Sequence, residues 1–199
     1  MTNVEGMKKR TGSSFVIRYS SFRDEVAFTV IELLIVMAII LVLAGFLLGT
    51  SNYVQKKGYR SRAEAEIAAI SAALENYKAD NGIYPRNNDT NNLDPLDANA
   101  DYKPASSYLY SSLTGDDDDN STTPAPAGTR NYFGSGLKPT MLGPVPPGPG
   151  TYLRDPFGNS YGYSTAKGAA PTGTVGLNPT FDLWSTAKET DPARWIKNW

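Results

Sequence analysis

From Leu33 to Gly49 the chain runs seventeen residues without a charge, and counting from Phe28 the stretch reaches twenty-two with Glu32 as its one charged residue. At 1.5 Å per residue that is about 33 Å of helix, enough to cross the hydrocarbon core of a bilayer. A buried helix of a soluble domain is apolar on one face, whereas this run is apolar on all sides. The stretch therefore predicts a transmembrane helix. Glu32 sits near its head, where a charge costs up to about 2.5–3.5 kcal/mol on insertion scales. Something must offset that cost.

The helix is predicted to continue past the membrane. No proline occurs before Pro85, and Ala63, Ile67, Ile70, Leu74 and Tyr77 recur at spacings of four, three, four and three. That spacing draws one apolar stripe along an amphipathic helix, with Ile67, Ile70, Leu74 and Tyr77 expected to pack on a soluble partner. Asn81-Gly82 followed by Pro85 is a stop signal. Gly45 and Gly49 interrupt the helix as points of bending or of close helix packing. Ahead of the apolar run, residues 1–27 are polar and carry a charge of +2, leaving −3 on the remainder of a chain of net charge −1. A secretory signal peptide has its apolar core in that position instead.

Ten of the fourteen prolines fall between residues 85 and 150. "GDDDDNSTTPAPAG", from Gly115 to Gly128, reads as a mobile, solvated loop, and "PASSYLYSSLTG" as a short helix packing Tyr108, Leu109 and Leu113. Beyond it, "TYLRD", "SYGYST" and "TFDLWS" are rich in aromatic and β-branched residues and read as strands, with "DPFGN" as the turn linking the first two. Trp184, Trp195 and Trp199 are expected to cap the core of that sheet. The fold class is thus α+β: a long N-terminal helix packed on a small C-terminal antiparallel β-sheet.

The chain has no Cys and no His. Disulfides, thiol nucleophiles, the commonest general base and the commonest transition-metal ligand are all missing. No spaced pair of carboxylates suggests catalysis, so the protein is expected not to be an enzyme. The near-balanced charge gives no footprint for nucleic acid.

"FTVIELLIVMAII" from Phe28 resembles the start of mature type IV pilins and type II secretion pseudopilins. "LENYKADNGIYP" (Leu74 to Pro85), "DPFGNSYGY" (Asp155 to Tyr163), "FDLWS" (Phe181 to Ser185) and "IKNW" (Ile196 to Trp199) resemble, in that order, the major pseudopilins of type II secretion, the general secretion pathway protein G family. The resemblance implies a pilin-like fold and a leader cut by a prepilin peptidase at the Ala27–Phe28 bond, with N-methylation at Phe28. Ala27 stands where the family has Gly. It also gives Glu32 a partner: the new Phe28 ammonium of a neighbouring copy in a filament. At about 4 Å such a pair attracts strongly, though desolvation leaves a modest net gain, and the main effect is to fix the stagger between subunits.

On this reading residues 1–27 are a prepilin leader, 28–50 a transmembrane and assembly helix, 51–82 its amphipathic continuation, 83–150 a variable Pro/Gly/Asp-rich loop region and 151–199 the C-terminal sheet. Basic residues flank both ends of the span, so the resemblance sets the orientation: N-terminus cytoplasmic, soluble part periplasmic, in the bacterial inner membrane. Implied partners are other copies of the chain, other pseudopilins, the prepilin peptidase and the inner-membrane secretion platform. The expected work is helix-on-helix assembly of a periplasmic pseudopilus that drives protein export across the outer membrane. The alternatives are a type IV pilin for adhesion or motility and a single-pass anchor that never polymerises. No cofactor is expected. Family members bind Ca²⁺ in the loop before the final "NW", but here that loop offers only Asp191 with Glu189 nearby, against six to eight oxygen ligands for calcium. Asp191 is the candidate ligand if calcium does bind.

Overall fold

One helix, α1, occupies Val30–Asn81. The computed structural model describes residues 28–199, less the side chains of residues 47–52. The predicted leader, with Ala27 and its side of the cleavage bond, lies outside the described residues. The chain divides into two units, residues 1–49 and 50–199. α1 stays helical through Gly45, Gly49 and Gly58.

In the first unit the large apolar side chains described in α1 are exposed, from Val30 at 83% to Phe46 at 70%. Among the described residues, no helix is long and apolar enough to cross a membrane. The last side chains of the predicted span, at 47–50, lie outside that description.

The second unit is mixed α+β. Its part of α1 buries Ala63, Ile67, Ile70, Ala73 and Leu74, while Tyr77 is partly buried against the same core. Each fully buried Ile or Leu contributes about 1.5–3 kcal/mol. The helix stops at Gly82, whose φ of +78° is open to glycine at no steric cost and lets its N–H reach the Lys78 carbonyl at 2.8 Å.

Three further helices follow. α2, Asn88–Asn91, is closed by a capping box between Asn87 and Thr90. α3, Lys103–Thr114, starts with Pro104 in its first turn and ends at left-handed Gly115. It buries Leu109, Tyr110 and Leu113, with Tyr108 only partly covered. α4 is a single turn, Ala166–Ala169.

The strands form two small antiparallel sheets rather than one. β1 (Leu142–Gly143) pairs with β2 (Tyr152–Leu153). β3 (Gly162–Ser164), β4 (Asp182–Ser185) and β5 (Ile196–Lys197) form the second sheet in that order. "TYLRD" and "SYGYST" do join through "DPFGN", but only by a single bridge between Arg154 and Ser160. β2 takes its partner instead from Leu142–Gly143, inside the stretch read as loop. Nor is the Asp-rich segment wholly solvated. Asp117 and Asp118 are exposed, but Asp116 is 3% exposed and accepts from the Tyr110 hydroxyl at 2.6 Å.

The three tryptophans form a cluster of their own. Trp184 and Trp195 stack with ring centres 6.3 Å apart and planes 4° from parallel. Tyr102 and Trp199 meet Trp184 edge-on at 5.3 and 5.8 Å. Leu93 and Ala105 complete this second core.

Candidate functional site

The head of α1 is built from Thr29 and Glu32. The Thr29 N–H and its hydroxyl both donate to Glu32 Oε2 at 2.9 Å, and the Glu32 N–H donates to Thr29 Oγ1 at 3.2 Å. This is a reciprocal capping box. The Leu33 N–H then reaches the Thr29 carbonyl at 3.2 Å and opens the helix ladder. The carboxylate also lies at the positive end of the helix dipole, which favours a negative charge. Glu32 Oε1 accepts no hydrogen bond among the described residues, so one oxygen holds the cap and the other is open to a donor. Phe28, two residues before the helix, is 83% exposed.

The capping role of Glu32 has a sequence signal that the reading of the charge alone passes over: "TVIE" is a T-x-x-E pattern directly ahead of an apolar run. It gives Glu32 a partner within its own chain.

Of the other predicted residues, Ile67, Ile70 and Leu74 meet in one core with Leu109, Leu153 and Tyr161. Tyr77 rests on Tyr132 with ring centres 5.1 Å apart. Asp191 does not stand free: its Oδ1 accepts from the Ala193 N–H at 2.9 Å and caps the 3-10 turn Pro192–Arg194. Glu189 is engaged by Lys56 at 2.6 Å and Arg194 at 3.5 Å. Those cations hold its carboxyl below the usual range, the Lys56 hydrogen bond most of all. Among the described residues no group of three or more potential ligands is placed to hold a metal ion.

Among the buried carboxylates that the sequence alone does not reveal are Glu66 and Asp155. Glu66 is 7% exposed; it accepts from Arg62 Nε at 2.7 Å and from the Tyr161 hydroxyl at 2.8 Å. Its signal was position, since it lies three residues after Ala63 and four before Ile70, on the stripe. Burial and the neighbouring carboxylate push the Tyr161 hydroxyl far above its ordinary value. Asp155 opens the "DPFGN" turn. Its Oδ1 accepts from the N–H groups of Phe157 at 3.0 Å and Asn159 at 2.8 Å, and its Oδ2 accepts from the Ser185 hydroxyl. One side chain thus ties the turn to the strand "DLWS". Burial raises the Asp155 carboxyl, and these hydrogen bonds oppose the rise without cancelling it.

No family model matches the chain, and no solved structure matches it. A stretch of 63 residues, 32% of the chain, is 33% identical to the Type II secretion system core protein G of Vibrio cholerae serotype O1. The match spans 43% of that relative's length. Part of this chain is therefore similar to a core component of type II secretion.

Proposed function

We propose that the protein is a type II secretion pseudopilin, a single-pass inner-membrane subunit that polymerises into a periplasmic pseudopilus. Prepilin peptidase cuts between Ala27 and Phe28, and the new amine is methylated. Copies then pack through the apolar half of α1, with Glu32 of one facing the Phe28 ammonium of the next. The observation that carries this reading is the exposure of every large apolar side chain described between Val30 and Phe46, on all faces of one helix. In water so continuous an apolar surface is untenable, and lipid or copies of the same helix are the environments that suit it. The open Oε1 of Glu32 supports the pairing, and similarity to core protein G supports the setting.

A second reading, the non-polymerising anchor, draws support from the capping box, which satisfies Glu32 with no neighbour at all. Two substitutions separate the readings in cells that carry a prepilin peptidase and a secretion platform. Thr29→Val removes the hydroxyl of the cap but keeps the Glu32 charge; Glu32→Gln removes the charge but keeps an acceptor for the cap. A pseudopilin loses assembly with Glu32→Gln far more than with Thr29→Val, as read by chemical cross-linking and sheared filaments. An anchor is indifferent to both in that assay. Mass spectrometry of the extracted protein is expected to find N-methylated Phe28 at the terminus, and an intact Met1 would overturn the processing step.

A further inference from the structure

Resting on the membrane reading, we infer that the helix face Tyr53–Arg60, with Arg194, is a docking surface for the anionic headgroups of a bilayer. Tyr53, Lys56, Lys57 and Arg60 are spaced at i, i+3, i+4 and i+7, so they share one face of α1. The C-terminal loop brings Arg194 and Glu189 beside them, and together they line an open cavity of about 630 Å³.

The charge does not balance. Glu189 is the one carboxylate lining the cavity, and it is engaged by Lys56 and Arg194. Arg60 uses one nitrogen on the Arg194 carbonyl at 3.0 Å and has no carboxylate partner among the described residues. Lys57 is exposed and has no partner there either. The face keeps an excess of positive charge with donors to spare, which suits phosphate oxygens. Tyr53 is 74% exposed and Val54 63%. An exposed tyrosine beside cations, directly after an apolar run, is the composition that settles at a headgroup layer. Each such cation near an anionic surface is worth about 1 kcal/mol, falling off within a Debye length.

The test uses the full chain reconstituted into vesicles of phosphatidylcholine alone or mixed with phosphatidylglycerol. A membrane-impermeant amine reagent labels Lys57, with exposed Lys138 as the reference, and mass spectrometry reads the rates. On phosphatidylglycerol vesicles Lys57 labelling is expected to slow about five-fold, the factor that corresponds to about 1 kcal/mol. High salt should restore the rate. The variant R60Q/R194Q should label alike on both vesicles and still resist alkaline extraction. Equal labelling of the inserted wild-type protein on both vesicles overturns this proposal alone. Protection that follows protein density instead of lipid charge assigns the face to a second copy and also overturns it. Release of the wild-type protein by alkali overturns the membrane reading, and this proposal with it.

Discussion

Gly162 is the residue on which the tryptophan cluster depends. It pairs directly with Trp184 across β3 and β4, and the indole lies over its backbone. A Cβ at Gly162 would sit 2.0 Å from Trp184 Cε2, closer than any real contact allows. Its backbone needs no left-handed conformation, so the requirement is space alone. Gly162→Ala therefore forces the indole out of its stack with Trp195 or the strands apart. Overpacking of this kind costs about 1–3 kcal/mol. For a chain of this size each kcal/mol lowers the midpoint by about 2–4 °C. Thermal unfolding followed by near-UV circular dichroism should show both a lower midpoint and a changed aromatic signal, and an unaltered melt would contradict this packing. At the same scale, Glu32 divides its two oxygens: Oε2 closes the helix end, and Oε1 accepts no hydrogen bond among the described residues.

Among the elements, the second half of α1 was the most legible in sequence, because a 3.6-residue period sustained from Ala63 to Leu74 admits one geometry. The stop at Gly82 was legible for the same reason that it works, since only glycine takes that φ without strain. The pairing of strands was not legible. Strands of two to four residues are too short for alternation to specify a partner, and β2 is claimed by Leu142–Gly143 from within proline-rich sequence. Glu66 was hidden because a charge at helical spacing ordinarily marks the solvent side. Its burial makes a test of how α1 is held to the sheet. Tyr161→Phe removes the donor to Glu66 Oε2 and leaves a buried acceptor unpaired on that side, at a cost of about 1–3 kcal/mol. Ile70→Ala, three residues beyond Ile67 on the same stripe, opens a cavity at a fully buried position and costs about 2–5 kcal/mol. In denaturant titrations the midpoint should fall for both, and further for Ile70→Ala. If Tyr161→Phe leaves the midpoint unmoved, the hydroxyl does not serve Glu66 in solution.

At the scale of the whole molecule, the acid–base behaviour of the second unit follows from where its carboxylates lie. Asp155 and Asp182 are each about 1% exposed, and burial raises both above the ordinary value of 3.8 despite hydrogen bonds from backbone N–H groups. A carboxyl raised in the folded state takes up its proton there before it does in the unfolded chain. Above the folded value both states are ionised and the full burial cost is present. As the pH falls from there towards 3.8 the folded state protonates first, and the cost is relieved. These two groups therefore make the protein gain stability on mild acidification. Glu189 acts in the opposite sense: its lowered carboxyl contributes stability above its ordinary value of 4.5, lost as the pH falls through the folded value. Glu189 is the more solvent-screened group, so its share is the smaller. Asp155→Asn isolates the first effect, because the amide oxygen can still accept from Phe157 and Asn159 while no proton titrates. The full chain in detergent should be melted across the acid range, with the tryptophan signal as the probe. The midpoint of the wild-type protein relative to Asp155→Asn is expected to rise as the pH is lowered from neutrality towards 3.8. A difference that stays constant across that range would mean that Asp155 is no harder to ionise in the folded protein than in the open chain. The bond from Ser185 and the turn N–H groups would then at least balance the burial.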